Sequence, residues 1–392
     1  MRRGISIVFA VILSAVACST SAPTAPAPSP SASRAPGSPI QFMAGKVRVV
    51  VSDPANVAVA DLNGDGKLDL AIPSQTEPVV VVLLGRGDGS FGQTLSIPAG
   101  QGGNFLLAAD LDGDGHLDLA TSNQDGSATV LWGNGDGTFS TPASYDVKGH
   151  LALGTAQWLA AADLNGDGAL DLVVSVLVTS GASGDDPLAP GQLALLLNKG
   201  GRTFADPVFY ADRAAVAVVA GDFDGDGKVD VASADLDRTL RVFRGDGKGR
   251  LGPSATYSID GRGDAIAAGD FNADGVLDLA TGNDRSFSVS VLLGLGHGTF
   301  GRSAHFVAGN THTIAIVDLD RDGHVDLIAG GFDETFIRFL HGRGDGTFLD
   351  QVKIDTDVST ARGLAVADFN GDHQLDLAVT DGSSSVQVFI GN

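Results

Sequence analysis

Residues 61–69 read DLNGDGKLD: three aspartates, an asparagine and two glycines, with the apolar runs NVAVA before and LAI after. Nearly the same nine residues return as DLDGDGHLD from Asp110, DLNGDGALD from Asp163 and DFDGDGKVD from Asp222. They return again as DFNADGVLD from Asp270, DLDRDGHVD from Asp318 and DFNGDHQLD from Asp368. Successive starts lie 49, 53, 59, 48, 48 and 50 residues apart. A period of this length marks a repeat architecture, in which each unit buries its apolar face against its neighbours.

Within one period the pattern is constant. A small-residue run (NVAVA) enters the acidic loop and LDLAI leaves it; a third run, VVVVLLG, ends in a glycine-rich turn, and a fourth, TLSIPA, closes the unit. Short β-branched runs bounded by Gly and Asp are strand signals, and no segment carries a 3.6-residue period. Four strands per period and seven periods predict an all-β chain, a seven-bladed β-propeller of four-stranded antiparallel blades. The last unit stops at VQVFIGN, after its third strand. The stretch IQFMAGKVRVVVS, residues 40–52, is the spare strand, with Phe42 in the register of Phe91, Phe204, Leu251, Phe300 and Phe348, and of Phe139 across a longer loop. Pairing it into the last blade is expected to close the ring and remove an exposed edge, making residues 40–392 one domain.

The loop reads as a metal site. Calcium takes six to eight oxygens at about 2.3–2.6 Å. In D-x-[DN]-x-D-G-x-x-D, side-chain oxygens at positions 1, 3, 5 and 9 converge when the backbone curls, position 7 adds its carbonyl, and glycine at 6 supplies a left-handed turn. The expected ligands are Asp61, Asn63, Asp65, Lys67 and Asp69; Asp110, Asp112, Asp114, His116 and Asp118; Asp163, Asn165, Asp167, Ala169 and Asp171. The later loops offer Asp222, Asp224, Asp226, Lys228 and Asp230; Asp270, Asn272, Asp274, Val276 and Asp278; Asp318, Asp320, Asp322, His324 and Asp326; Asp368, Asn370, Asp372, Gln374 and Asp376. Residue 7 acts in each through its carbonyl, so His116 and His324 are read as facing solvent. His373 replaces the glycine at position 6, so the site at Asp368 is expected to be weak or empty. An EF-hand needs Glu at position 12, where this chain has Ile72, Thr121, Val174, Ser233, Thr281, Ala329 and Val379. The remaining alternative is an Asx-rich turn that binds nothing, which seven copies with Asp at positions 1, 5 and 9 disfavour.

From about residue 40 to the end, the chain resembles the FG-GAP/VCBS repeat propellers, the fold of the integrin α-subunit head. Ser90-Phe91-Gly92 and Thr299-Phe300-Gly301 carry the Phe-Gly half of that pattern, while the Gly-Ala-Pro half is degenerate. The resemblance implies that the acidic loop joins the first two strands of each blade and holds calcium, up to seven ions in all.

Composition bounds the rest. The formal net charge is −22, which a phosphate backbone would repel, so nucleic acid is not an expected partner. The seven loops hold 24 of the 47 acidic residues. One cysteine, Cys18, excludes a disulfide framework and a thiolate nucleophile. MRRGISIVFAVILSAVAC has the layout of a secretory signal, residues 1–17. Its Ala-Val-Ala before Cys18 resembles a bacterial lipobox, although Ala15 stands where leucine is usual. That implies cleavage before Cys18 and lipidation there, the only expected membrane contact. Residues 18–39, rich in Ser, Ala and Pro, read as a disordered tether. The expected protein is exported, either anchored in the cell envelope or secreted, and monomeric.

No G-x-S-x-G, P-loop or H-E-x-x-H is present, and metal loops whose ligands all come from protein leave no open position for catalysis. Function is therefore expected on the opposite face, as binding or adhesion of a glycan or protein ligand. A lyase-like polysaccharide enzyme or an envelope scaffold are the alternatives. Phe105 and Trp158, near the rim beside the insertion at Thr179–Gly191, are the candidate ligand platform. Asp125, Asp235, Asp284, Asp333 and Asp381 are either an acidic collar or turn formers. Arg-Gly-Asp occurs at Arg86, Arg244, Arg262 and Arg343, three of them in strand hairpins where the sequence is turn chemistry.

Overall fold

The computed structural model describes residues 42–43, 48–178, 190–331, 335–349, 351–356, 358, 360–382 and 384–391. The leader, Cys18, the tether, most of the 179–191 insertion and Asp333 lie outside them. Every regular element among the described residues is a β-strand, and no helix there is long and apolar enough to cross a membrane.

Blade 1 comprises Ala58–Ala60, Asp69–Pro73, Val79–Gly85 and Phe91–Pro98, hydrogen-bonded antiparallel in that order. Blades 2 to 6 repeat this plan from their first strands Gly103–Ala109, Gly154–Ala162, Ala215–Gly221, Arg262–Gly269 and Thr311–Val317. Blade 7 contributes Gly363–Ala367, Asp376–Thr380 and Ser385–Gly391. The outer side of that last strand is taken by Phe42–Met43 and Arg48–Val50, with Phe42 opposite Gly391 and Arg48 opposite Gln387. First strands of successive blades adjoin, that of blade 7 meeting that of blade 1, so they line the central axis.

Seven strands around one axis leave room only for small side chains. The first and second strands of blades 1 and 4 are almost wholly buried and rich in Ala, Val and Leu, those of blades 2 and 3 also carry Phe105 and Trp158, and the fourth strand is largely solvent-facing, as in Phe91–Pro98. The blades are wedged together by aromatic rings. Phe91 meets Phe369 of the preceding loop, Phe300 meets Phe223 and Phe348 meets Phe271, all edge to face at 5.8–6.0 Å. Such pairs contribute roughly 0.5–1.5 kcal/mol beyond area burial. The repeated Phe of the hairpin and the repeated Leu or Phe at loop position 2 are thus two halves of one interblade contact.

The seam between blades 7 and 1 has the same character. Val51 N–H donates to the Ser384 carbonyl at 2.9 Å, and Val51, Val57 and Val59 share a core with Ala365, Phe369, Val386 and Val388. Deleting residues 40–52 would leave Ser385–Gly391 as an open edge. The expected outcome is a lower melting temperature together with self-association in light scattering; an unchanged monomer with an unchanged melt would refute it.

Candidate metal centres and the opposite rim

Each acidic loop connects the first strand of a blade to the second, because Asp at position 9 is the first residue of that second strand. The loops share one hydrogen-bond scheme. The position 6 N–H donates to Oδ2 of the aspartate at position 1 in all seven, at 2.8–3.0 Å. The position 7 N–H likewise donates to Oδ1 at position 5. The carboxylate at position 9 is held hardest. In blade 1, Oδ2 of Asp69 accepts from Leu62 N–H at 2.9 Å and Oδ1 from Gly85 N–H at 2.8 Å. The same pair of bonds recurs in every blade, the second donors being Gly133, Asn198, Gly245, Gly294, Gly342 and Gly391.

That second donor was not recognised in the sequence, although its signal is visible as a residue closing each third strand. Glycine is required there by close approach: a Cβ on Gly85 would lie 2.0 Å from the Leu68 carbonyl oxygen, and one on Gly245 2.0 Å from that of Val229. In blade 3 Asn198 stands instead and sends its Nδ2 to the carbonyls of Leu111 and Leu170, at 2.6 and 3.0 Å.

Backbone shape follows the two glycines. Positions 4 and 6 both have positive φ, as in Gly64 (72°) and Gly66 (81°). Where glycine is missing the conformation persists: Ala273 at 57°, Arg321 at 60° and His373 at 68°. His373 N–H still reaches Asp368 Oδ2 at 2.8 Å, so the seventh loop keeps the common shape under backbone strain of about 1–2 kcal/mol.

The donor set fits a hard divalent cation. In loops 2, 4 and 6, oxygens of Asp110, Asp112 and Asp118, of Asp222, Asp224 and Asp230, and of Asp318, Asp320 and Asp326 lie within 4.8 Å of one another. That spacing is what oxygens on one ion at about 2.4 Å require. These are the loops with Asp rather than Asn at position 3, and each receives a cationic or imidazole side chain at that residue's Oδ2. Arg202 Nε stands 2.6 Å from Asp112, Arg244 Nε 3.7 Å from Asp224 and His341 Nδ1 3.0 Å from Asp320. In three of the loops with Asn, the amide itself donates to position 5: Asn165 to Asp167, Asn272 to Asp274 and Asn370 to Asp372. In the remaining one, Lys67 Nζ reaches Asp65 at 3.3 Å. Of the residues read as facing solvent, His116 is exposed, but His324 is half-buried with its Nδ1 enclosed beneath Gly344.

On the other face, the first strands of blades 2 to 6 carry a β-bulge at the rim, around Asn104, Gln157 with Trp158, Val216, Asp264 and His312. Phe105 and Trp158 do come together, stacked with centroids 4.1 Å apart. Phe105 is buried, and Trp158 packs against four separate clusters of the core, drawn from both neighbouring and more distant blades. One face of the Trp158 indole is covered by Phe105, and the indole as a whole is half-buried. The acidic collar also divides. Asp125 and Asp381 accept from the backbone of their own turns, Asp235 pairs with Arg241, and Asp284 faces His312 and Arg285. Three of the Arg-Gly-Asp copies are hairpin turns, with Asp88, Asp246 and Asp345 each accepting from backbone two residues on.

The FG-GAP-like repeat model matches residues 61–121, 110–174, 222–281, 270–329 and 318–379, each segment running from one acidic loop through the next. The protein belongs to the FG-GAP-like repeat family. Within this FG-GAP propeller the interval holding the insertion, between the third and fourth loops, falls outside the matched residues. Among solved structures the chain is similar to an Agrocybe aegerita lectin that recognises non-reducing terminal N-acetylglucosamine, at 19% identity over 81% of each chain with a TM-score of 0.50. It is also similar to BBS1N in complex with ARL6DN, at 11% identity over 89% of this chain and 96% of that one, TM-score 0.61. The rhamnogalacturonan lyase YesW matches at 15% identity over 90% and 75%, TM-score 0.51. Likeness at these identities shows the fold. No curated protein matches the chain.

Two predictions follow from the loops. Burial pushes Asp69, Asp118, Asp171, Asp230, Asp278, Asp326 and Asp376 up to about 6 from 3.8, against the lowering effect of their two backbone hydrogen bonds. A carboxyl whose folded pKa is raised binds more protons folded than unfolded. Protein dialysed free of cation should therefore lose stability as pH rises from about 4 to about 6. Calcium, which favours the ionised form, should abolish that fall, and melting curves across the window in both conditions test it. Separately, His373→Gly should relieve the left-handed strain and raise stability by about 1 kcal/mol in chemical denaturation; a loss would show that the imidazole contributes packing of its own.

Proposed function

We propose that this propeller is an exported, calcium-stabilised binding module that holds a glycan or protein ligand on the rim opposite its metal loops. The observation that carries the reading is a contrast between the two faces. On the loop face, seven blades repeat one chemistry. On the rim, the residue six before each motif is different in every blade: Ala55, Asn104, Gln157, Val216, Asp264, His312 and Arg362. A ring of seven unlike side chains on a shared backbone suits recognition of one asymmetric ligand, and repetition suits structure.

The rim is most polar between blades 5 and 6, where His312 Nδ1 lies 2.9 Å from Asp264 and Arg262 lies near Asp284. It continues at Arg362, which donates to Asp53 at 2.9 Å and to Gln75 at 2.5 Å. Metal at the seven loops would offset more than half of the formal charge of −22. At millimolar calcium and a dissociation constant of roughly 0.1–1 mM, each ion stabilises by about 0.4–1.4 kcal/mol. Seven sum to several kcal/mol, comparable to a typical folding stability. The secretory layout of residues 1–17 and the Ala-Val-Ala before Cys18 support this reading, in which the chain is exported and either lipid-tethered or secreted.

Two measurements test it together. Excess EDTA should lower the melting temperature substantially and calcium should restore it; an indifferent melt removes the metal from the account. A glycan array probed with the calcium-loaded chain should show binding without turnover. Release of unsaturated oligosaccharide products would replace the binding module with a lyase.

A further inference from the structure

The sixth loop differs from the others in the side chain that enters it. His341 closes the third strand of blade 6, directly before Gly342, whose N–H holds Asp326 Oδ1 at 2.8 Å. The same position is Leu84, Trp132, Leu197, Arg244, Leu293 and Ile390 in the other blades. Its imidazole Nδ1 lies 3.0 Å from Asp320 Oδ2 and 3.5 Å from Asp326 Oδ1, and its Nε2 lies 3.5 Å from Asp322 Oδ2. The side chain is 20% exposed, and Nδ1 is enclosed without a hydrogen-bond partner among the described residues. Its approach to Asp320 is an ion-pair contact off the hydrogen-bond axis. Ligating atoms of Asp320, Asp322 and His341 lie within 4.8 Å of one another.

We propose that loop 6, unlike the other six, prefers a borderline divalent cation of the zinc type to calcium, as a mixed nitrogen–oxygen site taking His341, Asp320 and Asp322 as ligands above the buried Asp326. Calcium takes oxygen, whereas imidazole suits zinc, copper and nickel. Four ligands at about 2.0–2.2 Å around a tetrahedral ion stand about 3.3 Å apart; from the single nitrogen Nδ1, the oxygens of Asp320 and Asp326 stand at 3.0 and 3.5 Å, while the Asp322 oxygen is 3.5 Å from Nε2 and closes in by a turn of its side chain. The comparison with loops 2 and 4 isolates the chemistry. Arg202 and Arg244 meet Asp112 and Asp224 with a guanidinium, which has charge but no lone pair to give. In the seventh loop, His373 is 87% exposed and 3.9 Å from Asp368, outside the ligand set. Loop 6 alone brings an enclosed ring nitrogen into the carboxylates.

The test is equilibrium dialysis of the full chain against zinc chloride in millimolar calcium, with metal counted by elemental analysis. One zinc per chain is expected. His341→Leu, the residue found at this position in blades 1, 3 and 5, should lower that zinc affinity at least about 100-fold, beyond what loss of an outer-shell partner produces. Asp320→Asn, which four other loops carry naturally at position 3, should weaken zinc while the melt in calcium is retained. Cobalt in place of zinc should give a visible absorption band that His341→Leu abolishes. No zinc in the parent chain overturns the proposal, as does zinc unchanged in His341→Leu. Loss of zinc in His312→Leu instead would move the site to the Asp264–Asp284 cluster on the opposite rim and overturn it equally. Calcium counted in the same samples reads the calcium proposal separately: zinc lost in His341→Leu from a chain that binds no calcium supports this site and sinks the other.

Discussion

A carboxylate buried at the start of each second strand is the constraint on which the propeller rests. Asp69 and its six equivalents are at most 1% exposed, and each is gripped by two backbone N–H groups from opposite sides, one from its own loop and one from the end of the third strand. Bonds to a charged acceptor are worth about 1.5–3 kcal/mol apiece. They tie the first, second and third strands of a blade at one point. Burial alone would drive these groups toward the neutral form, so the arrangement calls for positive charge nearby. A cation in the loop would meet that need and couple metal binding to the strand geometry.

The seven solutions are not identical. Loops 2, 4 and 6 carry a third outer carboxylate, Asp112, Asp224 or Asp320, and each is met by a cationic or imidazole side chain from a third strand or its hairpin. Three of the loops with Asn at that position use the amide as an internal donor instead. The outer side chains of the loops are thus partnered in different ways from repeat to repeat.

The blade interfaces were partly legible. Phe91, Phe300 and Phe348 stood out as repeated residues, but only their three-dimensional neighbours reveal that each ring wedges against position 2 of the preceding loop. Tyr145, Tyr210 and Tyr257 gave no sequence signal, yet their hydroxyls accept the N–H groups of Phe204, Leu251 and Phe300 one blade on. Phe105 and Trp158 were legible as unusual, but their stacking on one another was not. Nothing local distinguishes an aromatic ring that faces solvent from one that packs against residues distant in the chain.

Period, strand count and the spacing of Asp, Asn and Gly are properties of neighbouring residues, so the sequence by itself determined the seven blades, the loop shape and its oxygen-rich chemistry. Contacts between residues far apart along the chain were decided by tertiary structure: Arg202 on Asp112, His341 among the carboxylates of loop 6, and Asp264 beside His312 on the rim. The physical reason is ring closure. Folding the blades about one axis sets the distances between side chains of different repeats, as for Arg202 and Asp112 or Asp264 and His312, while strand pairing within blade 6 brings His341 to its own loop.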